Sequence, residues 1–134
     1  MKRLLIILCS SIILIMGFSS CFTDNTNYYV KYEAKITSIY YGAEANYTVS
    51  TENGTKTITT DSKSFSETFG PVKKGFTASI SGRSEYPQTN SSMVVSIYVC
   101  KGEEPFSLKA QDESKENSIS DSGISASASY TIDF

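Results

Sequence analysis

The residue whose type and position indicate a specific chemistry is Cys21, which stands at the abrupt end of an apolar segment. Lys2 and Arg3 precede an apolar core over residues 4–16, and a short helix-breaking stretch, residues 17–20, separates that core from the cysteine. This order of features is the layout of a secretory signal peptide. The core is shorter than the ~20 apolar residues of a spanning helix. The pattern therefore favours a signal peptide over a permanent transmembrane helix.

The tripeptide Phe18-Ser19-Ser20, directly before Cys21, resembles a lipobox, where bacterial lipoprotein signal peptidase cuts so that the cysteine becomes the acylated first residue. The first lipobox position is usually Leu or another aliphatic residue. Phe18 therefore leaves ordinary cleavage beside an unmodified Cys21 as the alternative. One acyl chain holds a protein only marginally, so stable anchoring takes the several chains, palmitate among them, of this modification. We predict a signal peptide over residues 1–20, lipidation at Cys21 and a location at the bacterial outer membrane, on either its periplasmic or its surface face.

Groups that commonly perform catalysis are missing from the sequence. The chain contains no histidine, which excludes histidine-based hydrolysis and histidine-ligated metals. Its serines do not form a G-x-S-x-G motif, and the glycines and lysines of residues 70–75 lack the spacing of a phosphate-binding loop. The adjacent Glu103 and Glu104 would point to opposite faces of an extended segment, unlike a glycosidase pair. We therefore expect a protein that is not an enzyme, with no cofactor and no metal site.

The three cysteines reduce to one in the mature domain. Cys9 leaves with the signal peptide and Cys21 is acylated, so Cys100 remains without a partner for an internal disulfide. No histidine is present to activate its thiol. We expect Cys100 to be a half-buried strand residue.

Two tyrosine pairs are the candidates for ligand binding. Tyr28-Tyr29 and Tyr40-Tyr41 each place one ring outward if the backbone is extended. Outward tyrosines can form a platform for a sugar or a peptide. Tyr29 and Tyr40 are the residues to which we assign this role.

A segment rich in acidic residues offers oxygen ligands that could bind calcium. Its candidate ligands are Asp112, Glu113, Glu116, Asn117 and Asp121. Their spacing does not match an EF-hand loop. The pattern favours a charged, solvated loop over residues 111–122.

Length and charge limit the classes of protein that the chain can represent. Removal of residues 1–20 leaves 114 residues, enough for one domain with an apolar core. Lys2 and Arg3 leave with them, so ten basic and 14 acidic side chains remain, a formal charge of −4. Such a surface offers nucleic acid no basic stripe and anionic lipid no polybasic patch. The acyl group on Cys21 is then the expected membrane attachment.

Alternation of apolar and polar residues predicts β-strands along the mature chain. Residues 21–27 are polar and form a lipidated tether, and a single domain occupies residues 28–134. The predicted strands cover residues 28–36, 45–52, 55–61, 64–69, 76–81, 93–100, 106–110 and 124–134. Seven to eight short strands joined by polar turns, without a helical period, indicate an all-β antiparallel sandwich.

Local patterns refine this prediction. Asn53-Gly54 lies between two β-prone runs and predicts a type I′ hairpin that pairs residues 45–52 with 55–61. Glu67 shares one face with Phe65 and Phe69, which indicates a bulge or an edge position in that strand. Residues 82–92 are predicted to be a long polar connection.

The order of these segments resembles the β-sandwich domain of the mycobacterial MmpS family and of similar small lipoproteins of Bacteroidota-type bacteria. The resemblance is carried by "VKYEAKIT", "ANYTVSTENGTKT", "KSFSETFGPVKKGFTASISG", "MVVSIYVCKGEE" and "ISASASYTI". It implies an immunoglobulin-like sandwich and, from the mycobacterial members, an accessory role beside a lipid-exporting transporter. Those members have an uncleaved anchor helix and often a cysteine pair, whereas this chain has a lipobox-like site and only Cys100 in its domain.

Three functions follow as expectations. The favoured one is a non-enzymatic binding or structural module of the cell envelope, because loops on a rigid scaffold are where recognition usually occurs. The alternatives are the accessory subunit of an envelope transporter, with a protein partner, and a surface lipoprotein that binds carbohydrate or peptide.

Overall fold

The computed structural model of the chain describes residues 25–39, 42–85, 87–116 and 123–134. Its strands are β1 (Tyr28–Ile39), β2 (Ala45–Thr51), β3 (Gly54–Thr60), β4 (Ser64–Val72), β5 (Thr77–Ser84), β6 (Pro87–Lys101), β7 (Ser107–Glu116) and β8 (Ile124–Thr131). Over the described ranges there is no helix, and so none long and apolar enough to cross a membrane. The predicted signal peptide, Cys21 and Tyr40 lie outside the described residues.

The eight strands form two four-stranded antiparallel sheets. The first sheet has the order β4-β1-β6-β7 and the second has the order β3-β2-β5-β8. The all-β sandwich is therefore confirmed. In the immunoglobulin constant type, the strands follow the order ABED in one sheet and CFG in the other. The present chain shares the two-layer antiparallel architecture and connects its strands in a different order.

The core lies between the sheets and follows the predicted faces of the strands. In the first strand the inward residues are Val30, Tyr32, Ala34 and Ile36, and in β6 they are Met93, Val95, Ile97 and Val99. All eight are buried, while Lys31 and Lys35 lie on the opposite face of β1. Burying one such aliphatic side chain contributes about 1.5–3 kcal/mol. The alternation along these two strands thus fixes which side of each faces the other sheet.

The hairpin between β2 and β3 forms one residue earlier than predicted. Thr51 pairs with Gly54, so Glu52 and Asn53 form the turn. Gly54 has a φ of 114°, whereas Asn53 does not adopt a positive φ. A type I′ turn centred on Asn53-Gly54 needs positive φ at both residues and therefore does not form. The hydroxyl of Thr51 stabilises the observed turn, accepting from the Asn53 amide at 3.2 Å and donating to the Gly54 carbonyl at 3.0 Å.

Two segments predicted as loops are largely strand. β5 extends to Ser84 and β6 begins at Pro87, so most of residues 82–92 is paired. Proline is tolerated there because it is the first residue of its strand.

Residues 111–116, predicted as a charged loop, belong to β7 and pair with β6. β7 lies at a sheet edge, where charged side chains remain in water.

The position of Glu67 agrees with the predicted edge. β4 is an edge strand of the first sheet, and the Glu67 carboxylate pairs with the ammonium group of Lys56 on β3 at 3.1 Å. That ammonium group also lies 5.2 Å from the centroid of the Phe69 ring. Lys56 and Glu67 therefore join the two sheets along one side of the sandwich.

On the other side of the sandwich the edge strands β7 and β8 are joined. An oxygen of Asp112 accepts a hydrogen bond from the backbone amide of Ser127 at 2.9 Å. The ammonium group of Lys109 covers the Phe134 ring at 4.1 Å. Asp112 thereby occupies an amide group of edge strand β8 that another chain could otherwise pair with.

The final strand ends at Thr131 and not at residue 134 as predicted, but the following residues stay bound to the sandwich. Ile132 is buried, donates to the Phe76 carbonyl at 3.0 Å and accepts from the Gly75 amide at 2.8 Å. The Phe134 ring meets the Tyr28 ring edge-on at 5.5 Å. We call this end of the sandwich, formed by residues 25–27, 73–76, 102–106 and 132–134, the entry end.

Candidate functional site

The outer face of the first sheet carries a row of polar side chains that crosses all four strands. The register places Glu33 of β1 between Ser66 of β4 and Ser96 of β6, and it pairs Ser96 with Gln111 of β7. These positions are far apart in sequence, and only the strand pairing makes them neighbours. The row is flanked on both sides by rows that include larger side chains.

One flanking row lies toward the entry end and the other lies away from it. The row toward the entry end consists of Thr68, Lys31, Tyr98 and Leu108. The opposite row consists of Ser64, Lys35, Val94 and Glu113. Because Ser66 and Ser96 are small, the surface dips between the two rows.

The dip is a groove of about 440 Å³, which we call the transverse groove. Its lining residues are Glu33, Ala34, Lys35, Ser64, Phe65, Ser66, Val94, Ser96, Tyr98 and Gln111. Three inter-strand spacings give it a length of about 14 Å across the sheet. The groove therefore runs at right angles to the strands, with serines in its floor and Tyr98 in one wall.

The charged groups of the site hold one another in place. The ammonium group of Lys31 lies 2.8 Å from a carboxylate oxygen of Glu33. It also lies 4.6 Å from the centroid of the Tyr98 ring and 5.4 Å from that of Phe106. Lys31 thus links the groove floor to the aromatic wall by an ion pair and two cation–π contacts.

The chemistry of the groove is that of hydrogen bonding without a reactive group. Its hydroxyl, carboxylate, amide and ammonium groups can donate to or accept from a polar ligand, and the Tyr98 ring offers an apolar surface. Across the part of the chain that the structure describes, no three Cys, Asp or Glu side chains gather as a metal would require. The groove is suited to binding.

The predicted tyrosines do not line this groove. Tyr28 is buried and Tyr29 is half-buried on the outer face, as their alternation predicts. The Tyr29 ring packs on Gly70, where an added Cβ would lie 2.9 Å from the ring carbon Cδ1. Tyr29 lies closer to the entry end than to the groove. Tyr40 lies outside the described residues.

Sequence reasoning missed Tyr98 and Glu33 as site residues. Both lie on the polar face of their strands, and the neighbouring residues Ile97 and Tyr32 point to the buried face. This alternation along each strand was a signal for an outward position. The convergence of the two side chains depends on the cross-strand register, which no local pattern reveals.

Cys100 and the acidic segment have structural positions. Cys100 lies on β6 with 6% of its surface exposed, so it is a strand residue, as predicted, and more deeply buried than expected. Asp112 and Glu113 are adjacent in β7 and therefore point to opposite faces. The predicted solvated loop is wrong for residues 111–116, and Asn117 and Asp121 lie outside the described residues.

A second cavity, of about 480 Å³, lies over the outer face of the second sheet. Its lining residues are Asn46, Thr48, Ser81, Gly82, Arg83, Asp112, Ser125, Ala126 and Ser127. It is rich in hydroxyl groups and has no aromatic wall. We favour the transverse groove as the site because it combines a polar floor with an aromatic surface.

Comparison of the sequence with models of known protein families and with curated proteins finds no match.

Proposed function

We propose that this chain is a lipid-anchored binding module of the bacterial cell envelope that holds an oligosaccharide in its transverse groove. The observation that carries the proposal is the polar row of Ser66, Glu33, Ser96 and Gln111 beside the Tyr98 ring. Sugars present many hydroxyl groups, which such a row can bind, and apolar C–H faces, which an aromatic ring can contact. The anchor rests on the signal-peptide layout and the lipobox-like tripeptide before Cys21.

A peptide is a less suitable occupant because of the direction of the groove. An extended peptide gains affinity mainly by adding a strand to a sheet edge, with backbone hydrogen bonds along its length. The transverse groove crosses the face of the sheet at right angles to the strands, whose backbone groups are already paired with neighbouring strands. A ligand in it must be recognised through side chains, as a sugar is.

In this proposal the protein performs no reaction. The acyl chains on Cys21 keep it at the outer membrane, and the groove recruits or retains a glycan there. The residues that we expect to contact the ligand are Glu33, Lys35, Ser66, Tyr98 and Gln111.

The experiment is a glycan-array screen of the purified lipidated chain, followed by titration calorimetry with the best ligand. We expect Ser66→Leu to abolish binding, since the added side chain fills the groove floor on an exposed edge strand. Tyr98→Ala should weaken binding by removing the aromatic wall.

The matched control is Ser129→Leu, which makes the same change at an exposed position of the edge strand β8, on the other sheet and outside the groove. It should bind like the wild type. Equal loss of binding in Ser66→Leu and Ser129→Leu would contradict the proposal. Recovery of a stoichiometric transporter complex by crosslinking, from a protein that binds no glycan, would contradict it as well.

A further inference from the structure

The segment that leads from Cys21 into the sandwich is bound to the domain over its last residues. The ammonium group of Lys73 donates to the Asn25 carbonyl at 3.0 Å and to the Asn27 side-chain oxygen at 2.8 Å. The Gly102 amide donates to the Asn27 carbonyl at 2.8 Å. Of the predicted tether over residues 21–27, residues 25–27 are therefore part of the folded entry end.

This contact shortens the reach of the anchor. Only residues 22–24 separate Cys21 from Asn25. Four residue steps span at most about 14 Å when fully extended. An acyl group on Cys21 would hold the entry end within about that distance of the lipid surface.

Two large apolar side chains are exposed, Phe106 at this end and Leu108 about 10 Å farther along the sheet, at the level of Lys31. Phe106 is 38% exposed and Leu108 is 50% exposed, and they are the exposed large hydrophobic residues of the described chain. Phe106 belongs to the connection that begins at Gly102, which is bonded to Asn27, and Leu108 follows at the start of β7. Aromatic and aliphatic side chains of this kind are favoured at the interface between lipid and water.

We infer that the entry end lies on the bilayer, with Phe106 and Leu108 in the lipid interface, an inference that rests on the acylation of Cys21 in the proposed function. The basic residues at or beside this end, Lys73, Lys74 and Lys101, are offset by the acidic residues Glu103, Glu104 and Asp133. Contact should therefore not require anionic lipid, and phosphatidylcholine vesicles suffice to detect it.

This orientation also sets the direction of the ligand site. β1 starts at the entry end and leads away from the bilayer. Glu33 follows Tyr28 by five residues, or about 17 Å along the strand. With the strands upright on the bilayer, the transverse groove, which crosses them, runs parallel to the membrane plane. A bound glycan would lie along the membrane surface.

The test uses tryptophan fluorescence, because the chain contains no tryptophan and a single substitution supplies the only one, which can be excited selectively over the tyrosines. Full-length lipidated Phe106→Trp and Leu108→Trp are reconstituted into phosphatidylcholine vesicles with brominated acyl chains. Asp61→Trp, at an exposed residue of the opposite end, is the control. We expect loss of emission and a blue shift for the first two variants and neither change for the third.

The outcomes separate the inference from the proposed function. Mass spectrometry first establishes whether Cys21 is acylated. Acylated protein with unquenched emission at positions 106 and 108 would overturn the inference and leave the groove and the anchor untouched. Quenching equal to that of Asp61→Trp would overturn it as well. Absence of acylation would overturn both the inference and the anchor.

Discussion

At the scale of single residues, two buried tyrosines have opposite hydrogen-bonding situations. The Tyr32 hydroxyl donates to the Ser50 carbonyl at 2.8 Å. The Tyr47 hydroxyl is buried and has no hydrogen-bond partner within the described ranges. A buried polar group without a partner loses its hydration and gains nothing in return. The two hydroxyl groups should therefore contribute differently to stability.

We expect Tyr47→Phe to leave the free energy of unfolding at neutral pH unchanged or slightly raised, since it removes an unpaired group and keeps the ring that stacks on Phe65 at 5.4 Å. Tyr32→Phe should lower it by about 0.5–1.5 kcal/mol, the usual net value of a hydrogen bond. Urea denaturation of both variants measures the difference. A larger loss in Tyr47→Phe than in Tyr32→Phe would contradict the assignment.

Burial also makes stability depend on alkaline pH. It raises the pKa of Tyr47 above the ordinary value of 10.0. It also raises the pKa of Tyr32 above that value, although hydrogen bonds from Ser50 and Ser79 act in the opposite sense. As pH rises past 10 the unfolded chain releases these protons first, so the folded state loses stability. We expect full stability below pH 10, a decline above it, and a shallower decline in Tyr47→Phe. Denaturation midpoints measured across this range check the slope.

The sequence indicates the outward positions of the site residues but not their proximity. The alternation of β1 and β6 indicates that Glu33 and Tyr98 face outward. It cannot indicate that they meet, because their proximity comes from the pairing of Glu33 with Ser96 and of Lys31 with Tyr98. Register is a property of two strands together.

At the scale of elements, strands with a clear apolar face were predictable and polar strands were not. β6 was recognised from Met93 onward, where buried residues alternate. Its polar first part was missed because serine, threonine and asparagine there resemble a loop. β7 was missed beyond Ala110 because its edge position allows charged side chains.

The face assignment of the strands can be tested by paired truncations. Ile97→Ala and Ile132→Ala should each lower the free energy of unfolding by about 2–5 kcal/mol, since both side chains are buried. Ser127→Ala should change it by less than about 0.5 kcal/mol, because its side chain is exposed and its backbone amide still bonds Asp112. Thermal and urea unfolding of the three variants provide the comparison, and similar losses at Ile132 and Ser127 would contradict the assigned faces.

At the scale of the whole molecule, one sandwich carries both the segment that leads to the proposed anchor and the proposed binding face. The two sheets form one sandwich whose entry end binds residues 25–27, and the transverse groove lies on the outer face of the first sheet. The sandwich was predictable from strand spacing. The groove and the bound tether residues were not, because both depend on contacts between distant segments.

The anchor gives a prediction at this scale. Cys21→Ser should remain uncleaved or leave the membrane fraction, because the thiol is the predicted point of acylation. Cell fractionation and metabolic labelling with radioactive fatty acid measure both properties. Labelled Cys21→Ser, or unlabelled wild type, would contradict the lipoprotein assignment.

Binding of a glycan in the transverse groove is tested by an NMR titration of the isotope-labelled protein with its best oligosaccharide. We predict that the largest changes in amide chemical shift occur at Glu33, Ser66, Ser96, Tyr98 and Gln111. Shifts concentrated instead on the second sheet, at Thr48, Ser81 and Ser127, would contradict the assignment of the transverse groove as the binding site.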